Sequence, residues 1–410
     1  MEKITSNSTQ RTGSLCRTFL KLFAGLATVL LVLTQIFYGL TVITWLKQPQ
    51  GYIYSYISTN PTSSSWDSSK SAVLGLATKY NLDVYKIFVG SLRATGFDGH
   101  IILGISEDLS PDVMEYLAAN QVTTHVVEVA EKCTYQGQPS AHVDRDGRIE
   151  SVKWICAKDY PDYKLTWARF ALYKDWLLAC PDCTDGVILT DVRDAYFQRD
   201  PFRTVKPEHQ RPLMVFEEDP RTDTTHWLTD FPIKTCKGKD IGERRMLCSG
   251  STMGSREGIL DYIDVMMEEF DEWKTKSECR TNMKGDDQSI HNSLYYENRF
   301  RNVIAIPYRT GPINVIGYTA SEIFKRVKKE KEEGNVHSIF LKKNDDDKWQ
   351  HWLPEEYDEL IDPKTGLLVN IDGSPSGQIH QHDRFGWIMA NWMSNNSNKG
   401  WPYNSVSDEQ

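Results

Sequence analysis

Val187-Ile188-Leu189-Thr190-Asp191-Val192-Arg193-Asp194-Ala195-Tyr196-Phe197 joins an apolar run to two closely spaced carboxylates. Gly186 to Thr190 is a short apolar run and reads as a buried strand. It delivers Asp191, and then Asp194, at its C-terminal end. In open α/β sheets that edge is where ligands bind. Two carboxylates placed there can hold a hard divalent cation, with further oxygens completing its shell. Acidic residues after strands also cap helices and form turns, so the pair alone leaves both readings open.

On either side of it the pattern repeats strand and helix. Val84 to Phe97 suits a helix, His100 to Ile105 a strand, and Pro111 to Asn120 a helix with Ser110 as N-cap. Thr124 to Val129 reads as another strand. A charged loop spans Glu131 to Asp162, and a strong helix candidate runs from Leu165 to Leu178. Leu213 to Phe216 and Arg301 to Ile306 are further strands, and Ser255 to Trp273 is an amphipathic helix. Lys325 to Lys348 is mostly charge and reads as solvated helix and loop. This rhythm means a parallel sheet covered by helices.

At 410 residues the chain is long enough for one large α/β domain or two small ones. The net charge of −9 speaks against a nucleic-acid-binding surface. From Leu22 to Leu46 there is no charged side chain. That run is long enough for a transmembrane helix and too long for the apolar core of a cleaved signal peptide. Lys3, Arg11, Arg17 and Lys21 precede it, so the N-terminus is expected on the cytoplasmic side and the body in the lumen. The expected layout is a cytoplasmic tail at 1–21, a single anchor at 22–46 and a Pro/Ser/Thr-rich stem at 47–70. A lumenal catalytic body at 71–394 and a C-terminal tail at 395–410 follow. Cys16 would face the cytoplasm. Cys133, Cys156, Cys180, Cys183, Cys236, Cys248 and Cys279 would meet an oxidising compartment, and their odd number leaves at least one over. Cys180 and Cys183 lack a second CxxC partner, so a bridge or a pair of buried thiols fits them better than zinc. Asn395-Asn396-Ser397 is a lumenal glycosylation sequon. Trp349, Trp352, Trp387, Trp392 and Trp401 are open to two readings, an acceptor cleft or core packing.

Asp191 to Phe202 reads Asp-Val-Arg-Asp-Ala-Tyr-Phe-Gln-Arg-Asp-Pro-Phe. It resembles the metal-binding Asp-x-Asp segment of nucleotide-sugar glycosyltransferases with the GT-A fold, which implies an α/β, Rossmann-like body with a mixed, mostly parallel sheet flanked by helices. The likeness is to retaining enzymes of the glycogenin-like and plant arabinosyl- or xylosyltransferase kinds. Here the carboxylates stand three apart rather than two. Alignment on Asp200-Pro201-Phe202 puts Asp194 at the family's principal metal ligand and leaves Asp191 a looser match. Further segments follow in the family's order. Trp167 to Tyr173 resembles the helix whose Arg, here Arg169, reaches the donor. Cys248-Ser249-Gly250-Ser251-Thr252-Met253-Gly254 is similar to its small-residue segment, which lets donor and acceptor approach the backbone. Gly285-Asp286-Asp287-Gln288-Ser289 resembles its Asp-Gln pair, with Asp287 and Gln288 matched and Asp286 extra. Ile379-His380-Gln381-His382-Asp383-Arg384 resembles the late segment whose His, here His380, binds metal or diphosphate.

The resemblance implies a metal-dependent glycosyltransferase that moves a sugar from a nucleotide-sugar donor to a glycan or glycoprotein acceptor, with retention. It assigns metal binding to Asp191, Asp194 and His380. Donor contacts fall to Asp191, Arg193, Gly250 and Ser251, and catalytic positions to Asp287, Gln288 and Arg169. An imidazole ligand suits Mn²⁺ better than Mg²⁺. A Golgi or ER membrane, type II, is the implied location. Two rival classes are a catalytically inactive lumenal carbohydrate-binding or scaffold protein, and a metal-dependent phosphoesterase or nucleotidyltransferase.

Overall fold

The computed structural model describes residues 66–134, 141–143, 149–151, 155–209, 211–280, 286–333, 342–343, 349–350, 360, 362 and 367–385. The expected anchor, Cys16, most of the stem, Asn395 and Trp352, Trp387, Trp392 and Trp401 lie outside them. Among the described residues no helix is long and apolar enough to cross a membrane. The described chain begins inside the stretch read as stem. Trp66 packs edge-on against Phe202 at 6.1 Å, and Ser68 Oγ donates to the buried Asp200 carboxylate at 2.5 Å.

In chain order the elements begin with β1 (Ala72–Ala77), helix α1 (Leu82–Tyr85), a π-turn (Lys86–Gly90) and α2 (Ser91–Ala94). Then come β2 (His100–Ile105), α3 (Pro111–Ala119), β3 (Val122–Val126), the short β4 (Ala141–Val143) and β5 (Ile149–Ser151), and α4 (Leu165–Leu178). Next are β6 (Gly186–Thr190), β7 (Ala195–Phe197), β8 (Leu213–Glu217), α5 (Trp227–Lys237), β9 (Leu247–Ser255), α6 (Arg256–Thr275) and α7 (Asp286–Tyr296). The last are β10 (Val303–Ile306), β11 (Ile313–Val315), α8 (Gly317–Glu332), β12 (Lys342–Lys343), β13 (Trp349–Gln350) and β14 (Gln378–His380).

The main sheet has the order β10-β8-β9-β6-β1-β2-β3. All its pairings are parallel except those of β9, which runs antiparallel between β6 and β8. The expected mixed, mostly parallel sheet is therefore present, with helices on both faces. Side-chain alternation assigns the faces. Leu74, Ile102, Val187 and Leu189 join the cluster containing Trp167, Phe170, Tyr262 and Phe270. Val73, Ile101, Leu103 and Ile188 join that of Tyr85, Phe88, Leu92 and Leu117. Burial on both faces is why these strands read as unbroken apolar runs. Trp167 is fully buried and stacks on Phe270 at 4.8 Å. Truncating such a side chain costs about 3–5 kcal/mol.

Sequence reading missed β1, β7, α5, β9 and β11, and β4 and β5 lie within the stretch read as a loop. β9 is the main correction, because Cys248 to Gly254 reads as a Gly-rich approach segment yet forms most of a nine-residue strand. Small residues are needed there because the neighbours crowd it. A Cβ on Gly254 would lie 2.1 Å from the Pro212 carbonyl oxygen. The cysteines pair as Cys133–Cys156, Cys180–Cys183 and Cys236–Cys279, with Cys248 left as a buried thiol.

A second, three-stranded sheet, in the order β11-β14-β7, carries the chain's late return. β14 lies antiparallel to β7, with His380 opposite Ala195.

Candidate metal centre

The centre forms where β6 ends. The Asp191 amide donates to the Gly250 carbonyl at 2.8 Å, one step beyond the Thr190–Ser251 pair. Asp191 and Gly250 therefore face each other across the β6–β9 ladder. Val192 then turns into the core, 1% exposed. This inward apolar anchor makes the chain bend, so Asp194 follows only one residue before β7. Because β14 pairs with β7, His380 arrives beside Asp194, and the His382 amide donates to the Asp194 carbonyl at 3.2 Å.

The side chains converge. His380 Nδ1 lies 3.7 Å from Asp194 Oδ1, and neither atom has a hydrogen-bond partner among the described residues. One ligand atom from each of Asp191, Asp194 and His380 lies within 4.8 Å of the others. Ligands held roughly 2.1 Å from one ion are at most about 4.2 Å apart, so closure needs only a small side-chain motion. Gly250 leaves the space open. A Cβ there would lie 2.6 Å from His380 Nε2 and 2.7 Å from Asp191 Oδ2. Gly250 is not among the glycines with positive φ, so it is required for room rather than for backbone conformation. Unpartnered buried acceptors, an imidazole and a cradle that a methyl would fill are what a divalent cation such as Mn²⁺ fits.

Charges around the centre are organised by Arg169 of α4. Its Nη1 binds Asp191 Oδ1, and its Nη2 binds Asp287 Oδ2 at 2.8 Å. The resemblance gives this Arg to the donor; in the structure both of its terminal nitrogens hold carboxylates. Arg193 is half-exposed and lies 3.7 Å from Asp194 Oδ2 and 3.4 Å from Asp383 Oδ2. Burial raises the Asp194 carboxyl above its ordinary range. His380 and Arg193 pull it down, while Asp191 and Asp383 push it up.

Asp287 stands in the first turn of α7, and its Oδ1 accepts the Gln288 amide at 2.9 Å. Gln288 Nε2 donates to Glu218 Oε1 at 3.1 Å. Ser251 is not on the open side. It alternates away from Gly250, is fully buried, lies 3.0 Å from Thr190 Oγ1 and accepts from Gln378 Nε2 at 3.1 Å. Its hydroxyl ties β14 to the sheet.

Sequence reading missed Glu218 and Tyr80. Glu218 follows β8 at the same sheet edge. Burial raises its carboxyl, while Gln288, His380 and Arg384 act to lower it. Its signal in the sequence is the acidic pair Glu217-Glu218 that follows the apolar run Leu213 to Phe216. Tyr80 lies just beyond β1. Burial raises its hydroxyl, and Arg193, Asp191, Asp194 and Arg169 all act on it. With β1 unread, nothing pointed to Tyr80. No protein-family model matches the chain, and no curated protein matches it.

Proposed function

We propose that the chain is a metal-dependent glycosyltransferase with a GT-A-like body, held to a Golgi or ER membrane by residues 22–46 and using a nucleotide-sugar donor. The observation that carries this reading is the convergence of Asp191, Asp194 and His380 in front of Gly250, with Asp287 and Gln288 alongside. Asp191, Asp194 and His380 would hold Mn²⁺ (or Mg²⁺), which supplies positive charge to a departing diphosphate. Arg169 fixes Asp191 and Asp287 relative to each other, so the metal side and the sugar side of the cleft keep one spacing. Asp287 would accept hydrogen bonds from donor sugar hydroxyls and orient the anomeric carbon, a gain by positioning. Gln288, held by Glu218, would line the same face. Under the family likeness the acceptor is a hydroxyl of a glycan or glycoprotein and the product retains configuration.

The test is a screen of nucleoside-diphosphate sugars with the full chain in detergent, reading Mn²⁺-dependent donor hydrolysis or transfer that a chelator abolishes. Folded protein that consumes no donor in the panel sinks the reading. One observation favours a silent, carbohydrate-binding protein as second reading: Arg169 already neutralises Asp191. That protein would bind glycan arrays without consuming donor.

A further inference from the structure

Asp286, the acidic residue that the motif leaves unmatched, is buried. Its Oδ2 meets Lys164 Nζ, and both side chains are 5% exposed. Its Oδ1 accepts from Trp167 Nε1 at 3.2 Å. The Lys164 ammonium also lies over the Trp167 ring, 4.6 Å from its centroid. Trp167 is itself locked against Phe270 of α6. The socket is thus part of the rigid core, not a surface ion pair.

Lys164 is the N-cap of α4, and Arg169 lies in the second turn of the same helix. Successive carboxylates at the start of α7 therefore meet successive cations of α4. Asp286 takes Lys164, and Asp287 takes Arg169. Farther along α7, Asn292 fastens the helix to β9, accepting from the Leu247 amide at 2.9 Å and donating to its carbonyl at 2.8 Å. Asn292 fixes where α7 lies. At the first turn Ser289 Oγ also donates to the Leu228 carbonyl at 3.1 Å, and the direction of that turn decides where Asp287 and Gln288 reach.

A buried ion pair is a poor device for stability, since well-packed apolar residues of the same volume do as well or better. Its worth lies in direction, because a charge pair fixes geometry that apolar contact leaves free. We propose that Lys164 and Asp286 are positioning residues: a buried clamp that sets the first turn of α7, so that Asp287 meets Arg169 and Gln288 meets Glu218. The clamp rests on the transferase reading for its purpose, but not for its existence.

The experiment compares full-length Lys164→Met, Asp286→Asn and the double variant with the wild type. Each single variant strands one buried charge and should melt earlier. The double variant removes both charges, keeps the volume and an acceptor for Trp167, and should regain most of the melting temperature. Hydrogen exchange of the Ile290–Asn292 amides, the first in the helix to bond back to carbonyls of that turn, should nevertheless remain at least tenfold faster in the double variant than in wild type. Its turnover on the donor found above should stay at least tenfold down in kcat, with KM and Mn²⁺ affinity near wild type. A merely structural pair would return exchange and kcat together with the melting temperature, and that result overturns the proposal. The exchange readout needs no turnover. A wild type that consumes no donor therefore sinks the transferase reading, while exchange still decides the clamp.

Discussion

Gly250→Ala is the sharpest probe of the metal centre, because it adds one methyl and no strain in φ. The new Cβ would stand 2.6 Å from His380 Nε2 and 2.7 Å from Asp191 Oδ2. Ordinary carbon contacts lie near 3.5 Å, so each neighbour is overlapped by roughly 0.8 Å. His380 is 1% exposed and boxed in by β7 and β11, so it cannot retreat. The Asp191 side chain is 39% exposed and can swing outward. It would then leave the ligand set. Overpacking of this size costs about 1–3 kcal/mol of folding stability. Loss of correct ligand placement costs on the order of 100-fold in metal affinity. Mn²⁺ binding is read by electron paramagnetic resonance and folding by thermal melting. Gly104→Ala serves as control. Its Cβ would strike Trp176 at 2.3 Å, two strands from β6, so it should lower the melting temperature and leave Mn²⁺ binding intact. A Gly250→Ala protein that binds Mn²⁺ within threefold of wild type would refute the reasoning. So would equal loss in the control.

Asp194→Asn keeps the volume and removes the charge that burial disfavours; metal-free melting should hold while Mn²⁺-dependent turnover falls by about 100-fold or more, and normal turnover would contradict the ligand set. His380→Ala should abolish the Mn²⁺ dependence that His382→Ala largely keeps, since His382 packs edge-on to Tyr196 at 5.3 Å; equal effects would remove His380 from the centre. Burial depresses His291 from 6.5 to about 3. The unfolded chain therefore binds the extra proton in that interval, and this contribution is whole above pH 6.5 and lost as pH falls, at up to about 1.4 kcal/mol per unit. Urea melts at pH 7 and 5 should show a smaller loss for His291→Gln, and parallel losses would contradict this. For topology, protease added to sealed microsomes should spare the body of the chain, and Asn395→Gln should remove a glycan; digestion of the body from outside reverses the orientation drawn from Lys3, Arg11, Arg17 and Lys21.

Legibility followed how loudly each element's chemistry speaks locally. β2 and β6 are short apolar runs, α4 is a mainly apolar helix interrupted by Arg169, Lys174 and Asp175, and the bounds of all three are legible to the residue. β1, Ala-Val-Leu-Gly-Leu-Ala, is central in the sheet, yet its small residues carry little strand signal. Gly75 is small because Val192 presses within 2.3 Å of where its Cβ would be, a contact between distant segments that no local window contains. β9 fails for the same reason. The helix Val84 to Phe97 was expected in one piece; a π-turn at Lys86–Gly90 interrupts it, and it ends at Ala94. At the centre, the meeting of His380 with Asp194 was posed by motif order and is produced by β14 pairing with β7. The engagement of Arg169 by two carboxylates, the inward turn of Ser251 and the clamp at Asp286 are products of packing between helices and strands far apart in sequence.

The charge pattern argues for a cation at this edge independently of any motif. Asp191, Asp194, Asp287, Glu218 and Asp383 gather around it, and Arg169, Arg193 and Arg384 are the guanidiniums that face them. Arg169 is fully taken up by Asp191 and Asp287. Arg193 reaches Asp194 only at 3.7 Å and from a half-exposed position, where water screens it. Asp194 is thus a nearly buried carboxylate whose charge the protein leaves poorly compensated. The imidazole it faces is buried as well, and their nearest atoms make no hydrogen bond. Each such atom costs about 1–3 kcal/mol in a folded interior. Keeping Gly250 bare holds the space between Asp191 and His380 open, and a divalent ion in that space would satisfy Asp194, His380 and the free oxygen of Asp191 at once.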